Sequence, residues 1–485
     1  MTDYPPGEDP RRWRALAVTL AGGFMILLDV SIVTVAVPSI QQGLDASASG
    51  VLWVVSGYPL TFGLSLVAGG RLGDAFGRRR MYLGALTGFV LTSVLAGLAP
   101  SLLLLILARL LQGLFAGLVT PQNGGLIQDL FRGPERGRAF GLLGATIGLS
   151  TAAGPVIGGV ILAAFGEPDG WRWVFLVNVP FGLLTLVLTW LFVPAIPRRD
   201  VSTDIDVAGI VLLGLAVLCV LFPIVQSDAG GLQRFWWLFL PAAPLGYAFL
   251  RWERRRVAVG RAPLVDLRLF TVTPGYAAGM AIGAVYFCGF AGIWLVFAVF
   301  FQDGLGYSPL ESGLSVTPFA LGSAVSAWLA GRLVDRWGRR LTIAGLAAVA
   351  VGLGTVGLLT LLVEPAHLLL WITPPLLVAG VGGGAVIAPN TTITLSCVPT
   401  RMAGVASGVL QTGQRVGTAI GVAVLAALFH AMVGGSGYPA GLAVALFAAV
   451  LLVLVALVLA VVDFRGNRGN NELENFPTHS MASGQ

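Results

Sequence analysis

The sequence predicts an all-α polytopic membrane protein, with two six-helix bundles and two further helices inserted between them. Three observations lead to this fold class. Of the 485 residues, 56% are hydrophobic and only 11% are charged, whereas a soluble domain carries about 25% charged residues. Apolar stretches of transmembrane length recur along the whole chain, and a charged loop from the first half is repeated in the second. These patterns exclude a soluble multidomain protein.

Fourteen apolar stretches are long enough to cross about 30 Å of hydrocarbon at about 1.5 Å per residue. The first stretch is predicted to end at Pro38. It is longer than the apolar region of a removable signal peptide and lacks a cleavage site, so we expect it to be a retained helix. In order, the predicted spans are residues 15–38, 50–70, 80–99, 101–123, 138–165, 172–193, 206–226, 235–251, 274–301, 309–331, 340–363, 367–390, 402–430 and 438–463.

The distribution of arginine predicts the orientation in the membrane. All 29 basic residues are arginines, and 25 of them fall on one side if the N-terminus is cytoplasmic. Only Arg172 and Arg234 fall on the other side, while Arg109 and Arg415 lie within spans. Because cytoplasmic loops are enriched in basic residues, we expect a multi-pass protein with both termini in the cytoplasm. The short arginine-bearing loops face anionic lipid, so nucleic-acid binding is not expected.

Motifs for catalysis and cofactor binding are missing from the sequence. The absence of lysine excludes a Walker-type phosphate loop and Schiff-base catalysis. The three histidines and three cysteines are scattered without metal-ligand or C-x-x-C spacing. We therefore expect a protein without enzyme activity, metal or cofactor. The lysine-free, Ala/Gly/Val-rich composition is typical of a high-G+C bacterial genome, which favours the bacterial cytoplasmic (inner) membrane.

A ten-residue loop occurs twice in the chain. Residues 70–79 recur 261 residues later as residues 331–340, with seven of ten positions identical. Duplicated halves that move about a central site are a common construction of secondary transporters. The predicted domains are a cytoplasmic N-terminus at 1–14, a six-helix bundle at 15–200, two linker helices at 201–256, a second six-helix bundle at 257–463 and a disordered cytoplasmic tail at 464–485.

Both copies of the loop combine glycine, aspartate and arginine. Glycine permits a tight turn, aspartate can cap a helix N-terminus, and arginine pairs with acids or lipid phosphates. A purely topological anchor would need only the arginines. We therefore interpret the loops as a conformational latch formed by Gly70, Asp74, Gly77, Arg78, Gly331, Asp335, Gly338 and Arg339.

The loops resemble the signature of the major facilitator superfamily, and other segments resemble its fourteen-helix drug:proton antiporters. These segments lie at residues 28–33, 107–113, 154–159 and 171–180, so the resemblance covers essentially residues 12–463. It implies a multidrug or antibiotic exporter whose fifth-span antiporter motif contains Gly154, Pro155, Gly158 and Gly159. The sequence departs from the family pattern at Ser150, where the family has glycine, and at Ala75, a usually basic position.

Asp29 is the one acidic residue that lies clearly within a predicted span. Asp29 and Arg109 are each eight residues from the outer end of their spans, which places both about 12 Å below the outer face. We expect Asp29 to bind the transported proton, while Arg109 favours the carboxylate in one conformation and releases it in the other. A permanent structural ion pair is the alternative.

Polar and aromatic residues near mid-membrane are predicted to line a substrate cavity. Arg415 is interpreted either as a gate or attraction for an anionic group, or as a structural arginine held by carbonyls. The aromatic residues could instead face lipid. The predicted lining comprises Gln112, Gln411, Gln414, Arg415, Tyr58, Trp53, Tyr286 and Trp294.

Together these patterns predict a proton-coupled antiporter that exports hydrophobic drugs or antibiotics by alternating access. Two alternatives remain open: a proton-coupled uptake symporter for a small metabolite, and a transporter-like ligand sensor. The expected partners are a small hydrophobic substrate, protons and the lipid bilayer. A chain with both bundles can work alone, so a monomer is expected.

Overall fold

A computed structural model of the chain describes residues 11–166, 169–195, 204–226 and 230–474. All regular secondary structure in these residues is helical, which confirms the all-α prediction. Short 3-10 turns occupy Trp236–Leu238 and Thr400–Met402, and a π-helical turn occupies Phe300–Gly304. The α-helices are α1 (Arg12–Gly43), α2 (Ala48–Phe76), α3 (Arg78–Gly97), α4 (Leu102–Leu130), α5 (Pro134–Phe165), α6 (Gly170–Leu176), α7 (Asn178–Phe192), α8 (Val207–Val225), α9 (Gly231–Phe235), α10 (Phe239–Ala258), α11 (Arg268–Thr271), α12 (Tyr276–Ala291), α13 (Ile293–Val299), α14 (Pro309–Ser315), α15 (Thr317–Trp337), α16 (Arg339–Leu362), α17 (Pro365–Ser396) and α18 (Ala403–Glu474).

Ten helices in the described part of the chain are long and apolar enough to cross a membrane. The longest, at Thr400–Gly466, contains two arms because Gly437 has a non-helical φ of 82° and ψ of 173°. Helices α5, α10 and α15 have 32, 20 and 21 residues, which also suffices to span hydrocarbon. With the two arms of α18 counted separately, these segments match the fourteen predicted spans.

Several helices extend beyond their predicted ends, α1 and α4 among them. Helix α1 continues through Pro38 to Gly43, so the prediction that Pro38 ends this helix is wrong. Helix α4 continues past residue 123 to Leu130. Membrane helices tolerate an internal proline because neighbouring helices and local adjustments satisfy the freed carbonyl group. At the end of α4, buried polar side chains such as Gln122 and Gln128 pack against other helices, which hydropathy does not detect.

The predicted disordered tail is wrong at its start. Helix α18 continues to Glu474, so residues 464–474 are helical. An apolar helix provides the nucleus here, and each added residue gains one backbone hydrogen bond without a new nucleation cost. The remaining tail residues, 475–485, and residues 1–10 of the predicted cytoplasmic N-terminus lie outside the described residues.

The helices pack as two sets with contacts between them. In the first set, α2 packs on α4 and α1 packs on α5; in the second, α12 packs on α18, and α15 and α16 pack on α17. Helices α2 and α5 of the first set contact α18 and α15 of the second. Helices α8 and α10 pack on each other, and α8 also contacts α2 and α18. The inserted helices therefore lie beside one of the two interfaces between the sets.

The two sets are held together at the face that carries the arginine-bearing loops, here called the arginine-rich face. A buried apolar cluster at this face takes residues from α1, α4 and α5 of the first set and from α12, α17 and α18 of the second. Along α5 the gap to the second set widens away from this face: a methyl group on Gly141, Gly144 or Gly148 would lie 2.8, 3.2 or 3.7 Å from the nearest atom. The helices thus diverge from the arginine-rich face towards mid-membrane.

Candidate functional site

Asp29 lies in α1 with none of its surface exposed. Its Oδ2 accepts a hydrogen bond from the Arg109 guanidinium in α4, and the two groups form an ion pair. Its Oδ1 accepts from Asn178 Nδ2 at 2.6 Å and from Gln112 Nε2 at 3.2 Å. Both carboxylate oxygens therefore have donors, from helices α4 and α7. This supply of donors offsets the high cost of an ionised carboxylate away from water.

Arg109 is equally enclosed, with 1% of its surface exposed. Its Nε donates to the Val54 carbonyl oxygen at 3.0 Å, and its Nη1 donates to Gln112 Oε1 at 2.6 Å. The guanidinium carbon lies 4.3 Å from the centroid of the Tyr58 ring, within cation–π range. The cation is therefore held by groups other than Asp29, and it can stay in place when the carboxylate is neutralised.

Two members of this cluster were not predicted. Asn178 begins α7 and donates directly to Asp29, while Ser93 in α3 accepts from Gln112 Nε2 at 2.7 Å. Asn178 is an isolated amide in an otherwise apolar stretch, and such a residue is expected to have a hydrogen-bonding role in a membrane. Ser93 carries no such signal, because serine hydroxyls in helices usually bond to their own backbone, as Ser93 also does to the Phe89 carbonyl oxygen.

Four of the residues predicted to line a substrate cavity contact neighbouring helices in this conformation. Gln112 and Tyr58 have no exposed surface and belong to the Asp29 cluster, where the Tyr58 hydroxyl donates to the Ile26 carbonyl oxygen. The Trp53 ring packs 5.5 Å from the Phe222 ring of the inserted helix α8. Tyr286 is 1% exposed and stacks on Phe290. These contacts pack the three aromatic side chains against other groups of the protein.

The other predicted cavity residues stand nearer the interface between the two sets. Trp294 is half-buried and packs edge-on against Phe290 and Phe319. Gln411, Gln414 and Arg415 are half-buried on α18. The Gln411 amide donates to Ser407 Oγ at 3.0 Å, and the Arg415 guanidinium carbon lies 4.5 Å from the Phe62 ring centroid on α2.

The first loop joins the two sets through Asp74. Its Oδ1 accepts from the Gly404 backbone N–H at 3.1 Å and its Oδ2 from the Val405 N–H at 3.0 Å. These donors belong to the first turn of α18, where backbone N–H groups have no partner within the helix and the helix dipole favours an anion. Arg78 donates to Asp74 at 2.9 Å and to the Thr400 carbonyl oxygen at 3.0 Å. One carboxylate from α2 therefore caps a helix of the other set.

Glycine makes this contact possible. A methyl group on Gly404 would lie 2.6 Å from the Gly70 carbonyl oxygen, and a methyl group on Gly70 would lie 2.6 Å from the Gly404 carbonyl carbon. Gly77, which separates α2 from α3, has a φ of 95° that favours glycine. Arg78 also pairs with Asp129 at the end of α4, at 3.1 Å. The predicted loop residues of the first copy are thus brought together at the arginine-rich face.

The second loop makes a different set of contacts. Gly331 packs against the backbone of Gly137 and Gly141 on α5, as Gly70 does against α18. Asp335, however, is exposed and makes no hydrogen bond to another described residue. Arg339 pairs with Asp463 at 2.7 Å and donates to Asn390 at 2.6 Å, within its own set. Gly338 has a φ of 52°. The close approach is repeated in both copies, but the capping by aspartate is not.

The fifth-span glycines pack on α1 directly after Asp29. Ser31 Oγ donates to the Ser150 carbonyl oxygen at 3.3 Å, and a methyl group on Gly158 would lie 3.1 Å from the Ile32 carbonyl oxygen. A methyl group on Gly154 would overlap with the Ser31 side chain of α1, whereas one on Gly159 would have no atom within 4 Å. Pro155 lies within α5 and does not end it. Gly154 and Gly158 therefore hold α5 close to the helix that carries the carboxylate.

We expect Gly70→Ala to destabilise this conformation. The added methyl group would overlap with backbone atoms of Gly404 and Val405. A side chain could rotate to relieve such an overlap, but backbone atoms cannot. Overpacking of this kind costs about 1–3 kcal/mol, so thermal unfolding of the purified protein should begin at a clearly lower temperature. Gly159→Ala is the matched control, because nothing lies within 4 Å of the added group. Equal unfolding temperatures for both variants would contradict the close packing.

Comparisons with known proteins agree with this architecture. The family model of the Major Facilitator Superfamily matches residues 19–422 and again residues 284–482. A probable actinorhodin transporter of Streptomyces coelicolor is 38% identical over 436 residues, which cover 88% of this chain and 74% of the relative. The tetracenomycin C resistance and export protein of Streptomyces glaucescens is 33% identical over 426 residues, with 87% and 77% covered.

The fold is also found among solved structures. The crystal structure of a human organic anion transporter has a TM-score of 0.68 and 17% identity, and the match covers 93% of this chain and 100% of that one. At this identity the match concerns the fold alone. The repeated halves, the helix packing and the two sequence relatives all point to the same assignment: the chain is a multi-pass membrane protein that belongs to the Major Facilitator Superfamily, a family of transporters and not of enzymes.

Proposed function

We propose that the protein is a drug:proton antiporter of the bacterial cytoplasmic membrane, which exports hydrophobic drugs or antibiotics by alternating access. The observation that carries this proposal is the buried Asp29 carboxylate, held by Arg109, Gln112 and Asn178 within a membrane-spanning helix. An ionisable group inside a membrane protein is by default a candidate for proton or ion transfer. The two Streptomyces relatives, named as a transporter and an export protein for antibiotics, support the outward direction.

In this proposal the arginine-rich face is cytoplasmic, as the distribution of arginine predicts. The conformation described here, closed at that face, is then closed to the cytoplasm. A proton that enters from outside binds a carboxylate oxygen of Asp29 and removes its charge attraction to Arg109. Arg109 keeps its contacts with Val54 and Tyr58, so the protonated state needs no new partner for the cation. After the transporter opens inward, the proton leaves to the cytoplasm and the carboxylate pairs with Arg109 again.

The two loops act as the conformational latch in this cycle. Asp74 and Arg78 bind the first turn of α18 when the arginine-rich face is closed, and these contacts must break before that face opens. The moving parts are the two six-helix bundles at 15–200 and 257–463, with the linker helices at 201–256 beside the interface of α2 and α18. One chain contains both bundles, so we propose that the monomer is the working unit. Its partners are a small hydrophobic substrate, protons and lipid.

Purified protein in proteoliposomes with an imposed pH gradient and an internal pH dye tests this proposal. We expect hydrophobic antibiotics to trigger proton movement and to move in the opposite direction to the protons. Movement of compound and protons in the same direction would instead indicate an uptake symporter. Saturable binding without any flux of compound would indicate a ligand sensor.

A further inference from the structure

Arg415 is a charged side chain in the middle of the membrane, at the interface between α18 and α2. Its guanidinium lies over the Phe62 ring, and Phe62 is the central residue of the 29-residue helix α2. Within the residues that the structure describes, no carboxylate pairs with Arg415 and no carbonyl or amide oxygen accepts a hydrogen bond from it. An arginine at this depth is expected to be paired or to face a polar cavity. Arg415 is therefore available to a partner that is not part of the chain.

The charges around this position favour an anion. Asp29 neutralises Arg109 through their ion pair, so Arg415 leaves one uncompensated positive charge near mid-membrane. Gln411 and Gln414 stand on the same helix, and a methyl group on Gly283 of α12 would lie 3.5 Å from Gln414 Nε2. Guanidinium groups and amide N–H groups together provide several donors to an acceptor with two oxygens. A cation at this position would be repelled by the unpaired charge of Arg415.

The internal repeat shows that Arg415 has no charged counterpart in the first half. A second echo of the repeat, offset by about 267 residues, aligns Gly137, Gly141 and Gly154 with Gly404, Gly408 and Gly421. At this offset Arg415 corresponds to Gly148 on α5, which carries no side chain. The charge at this depth therefore belongs to α18 alone.

Aromatic rings connect this position to the proton site. Arg109 lies over Tyr58 at 4.3 Å, the Tyr58 and Phe62 ring centroids are 6.0 Å apart, and Arg415 lies over Phe62 at 4.5 Å. A bidentate, charge-assisted pair with an oxyanion is stronger than one cation–π contact, so an anion can draw the guanidinium away from Phe62. That movement would uncover the ring for contact with an apolar part of the ligand.

We infer that Arg415 binds the acidic group of the exported compound, and that the substrates include aromatic acids carrying a carboxylate or an ionised phenol. The inference rests on the proposed export function and names the substrate class of that transporter. A lipid phosphate is not the occupant, because headgroups lie at the membrane surface and Phe62 is at the midpoint of its helix. Gln411 and Gln414 supply additional donors, and Phe62 supplies the aromatic contact.

The test compares two probes that differ only in charge, anthracene carboxylate and anthracene carboxamide. Their affinities for the full-length protein in nanodiscs of zwitterionic lipid are measured by calorimetry at about pH 7, without a pH gradient. We expect the wild type to bind the carboxylate at least about tenfold more tightly than the carboxamide. Arg415→Gln should bind both probes equally, whereas Arg415→Lys should keep part of the preference because it keeps the charge.

The design separates this inference from the proposed antiport. Asp169→Asn, which changes an exposed aspartate that pairs with Arg172, should keep the preference for the carboxylate. If proton coupling fails in the wild type but the carboxylate preference is present and depends on Arg415, antiport is wrong and the inference stands. Equal affinities for the two probes in the wild type, undetectable binding of both, or an undiminished preference in Arg415→Gln would each overturn the inference.

Discussion

Asp29→Asn should reduce compound-driven proton movement in proteoliposomes to the level of protein-free liposomes. Asparagine keeps the size of the side chain and an acceptor oxygen, but it cannot carry a proton between the two faces of the membrane. Exchange of labelled compound without a pH gradient should continue, because the neutral amide resembles the protonated carboxyl group. Proton movement should therefore be lost while compound exchange continues. This combination distinguishes a loss of coupling from a loss of the fold.

Two variants control for structural damage. Asp29→Asn leaves the buried Arg109 without its counter-ion, and breaking a buried ion pair costs about 3–5 kcal/mol. The double variant Asp29→Asn with Arg109→Gln removes this unpaired charge, so it should recover stability without recovering coupling. Asp169→Asn changes an aspartate that is 67% exposed and pairs only with Arg172 among the described residues, and it should transport normally. Full coupling in Asp29→Asn would refute Asp29 as the proton site.

Asp74→Asn should shift the protein towards the state that is open at the arginine-rich face. The carboxylate accepts two backbone hydrogen bonds from the start of α18 and one from Arg78. Hydrogen bonds to charged groups contribute about 1.5–3 kcal/mol each, and about 1.4 kcal/mol corresponds to a tenfold change in an equilibrium. We therefore expect the open state to gain at least about tenfold in population. Spin labels at Arg80 and Arg340, in a cysteine-free background, would report the distance across this face.

Asp335→Asn is the matched control for this experiment. Asp335 occupies the same place in the second copy of the loop, but it is exposed and caps no helix in the part of the chain that the structure describes. We expect its distance distribution to resemble that of the wild type in this state. An equal shift in both variants would show that the effect depends on general loop charge and not on the capping of α18.

The functional division within the chain follows from the positions of these groups. The proton site uses α1, α3, α4 and α7 of the first set, whereas Arg415 and Gly404, whose N–H donates to Asp74, belong to α18 of the second. Helix α2 connects them, since Tyr58 and Phe62 face the two arginines and Asp74 reaches α18. A movement of α18 relative to α2 would therefore affect the arginine contact and the cap together.

Most of the fold could be predicted from composition and from the repeat. Placing polar groups in hydrocarbon is costly, so each membrane span must be mostly apolar along its own length and most arginines must lie outside the spans. Each span can therefore be recognised from its own sequence. The ends of α1 and α4 could not be predicted in this way, because tertiary packing stabilises helix beyond Pro38 and buries the polar residues that follow Pro121. The helical residues 464–474 depend on the apolar helix before them.

For the candidate site, the pairing of Asp29 with Arg109 follows from equal depth in two spans, and the structure brings these residues together. Asn178 and Ser93 complete the cluster only because α7 and α3 pack beside them. The amino-acid sequence by itself determined a duplicated membrane protein with one carboxylate clearly within a predicted span, since apolar length and an internal repeat can be read without knowing which helices pack together. Only the tertiary structure decided that Asp74 caps α18 while Asp335 caps no helix among the described residues, and that the Tyr58 ring lies beside Arg109. These differences depend on which helices pack against each loop. Two loops of nearly identical sequence do not by themselves indicate which distant residues they will contact.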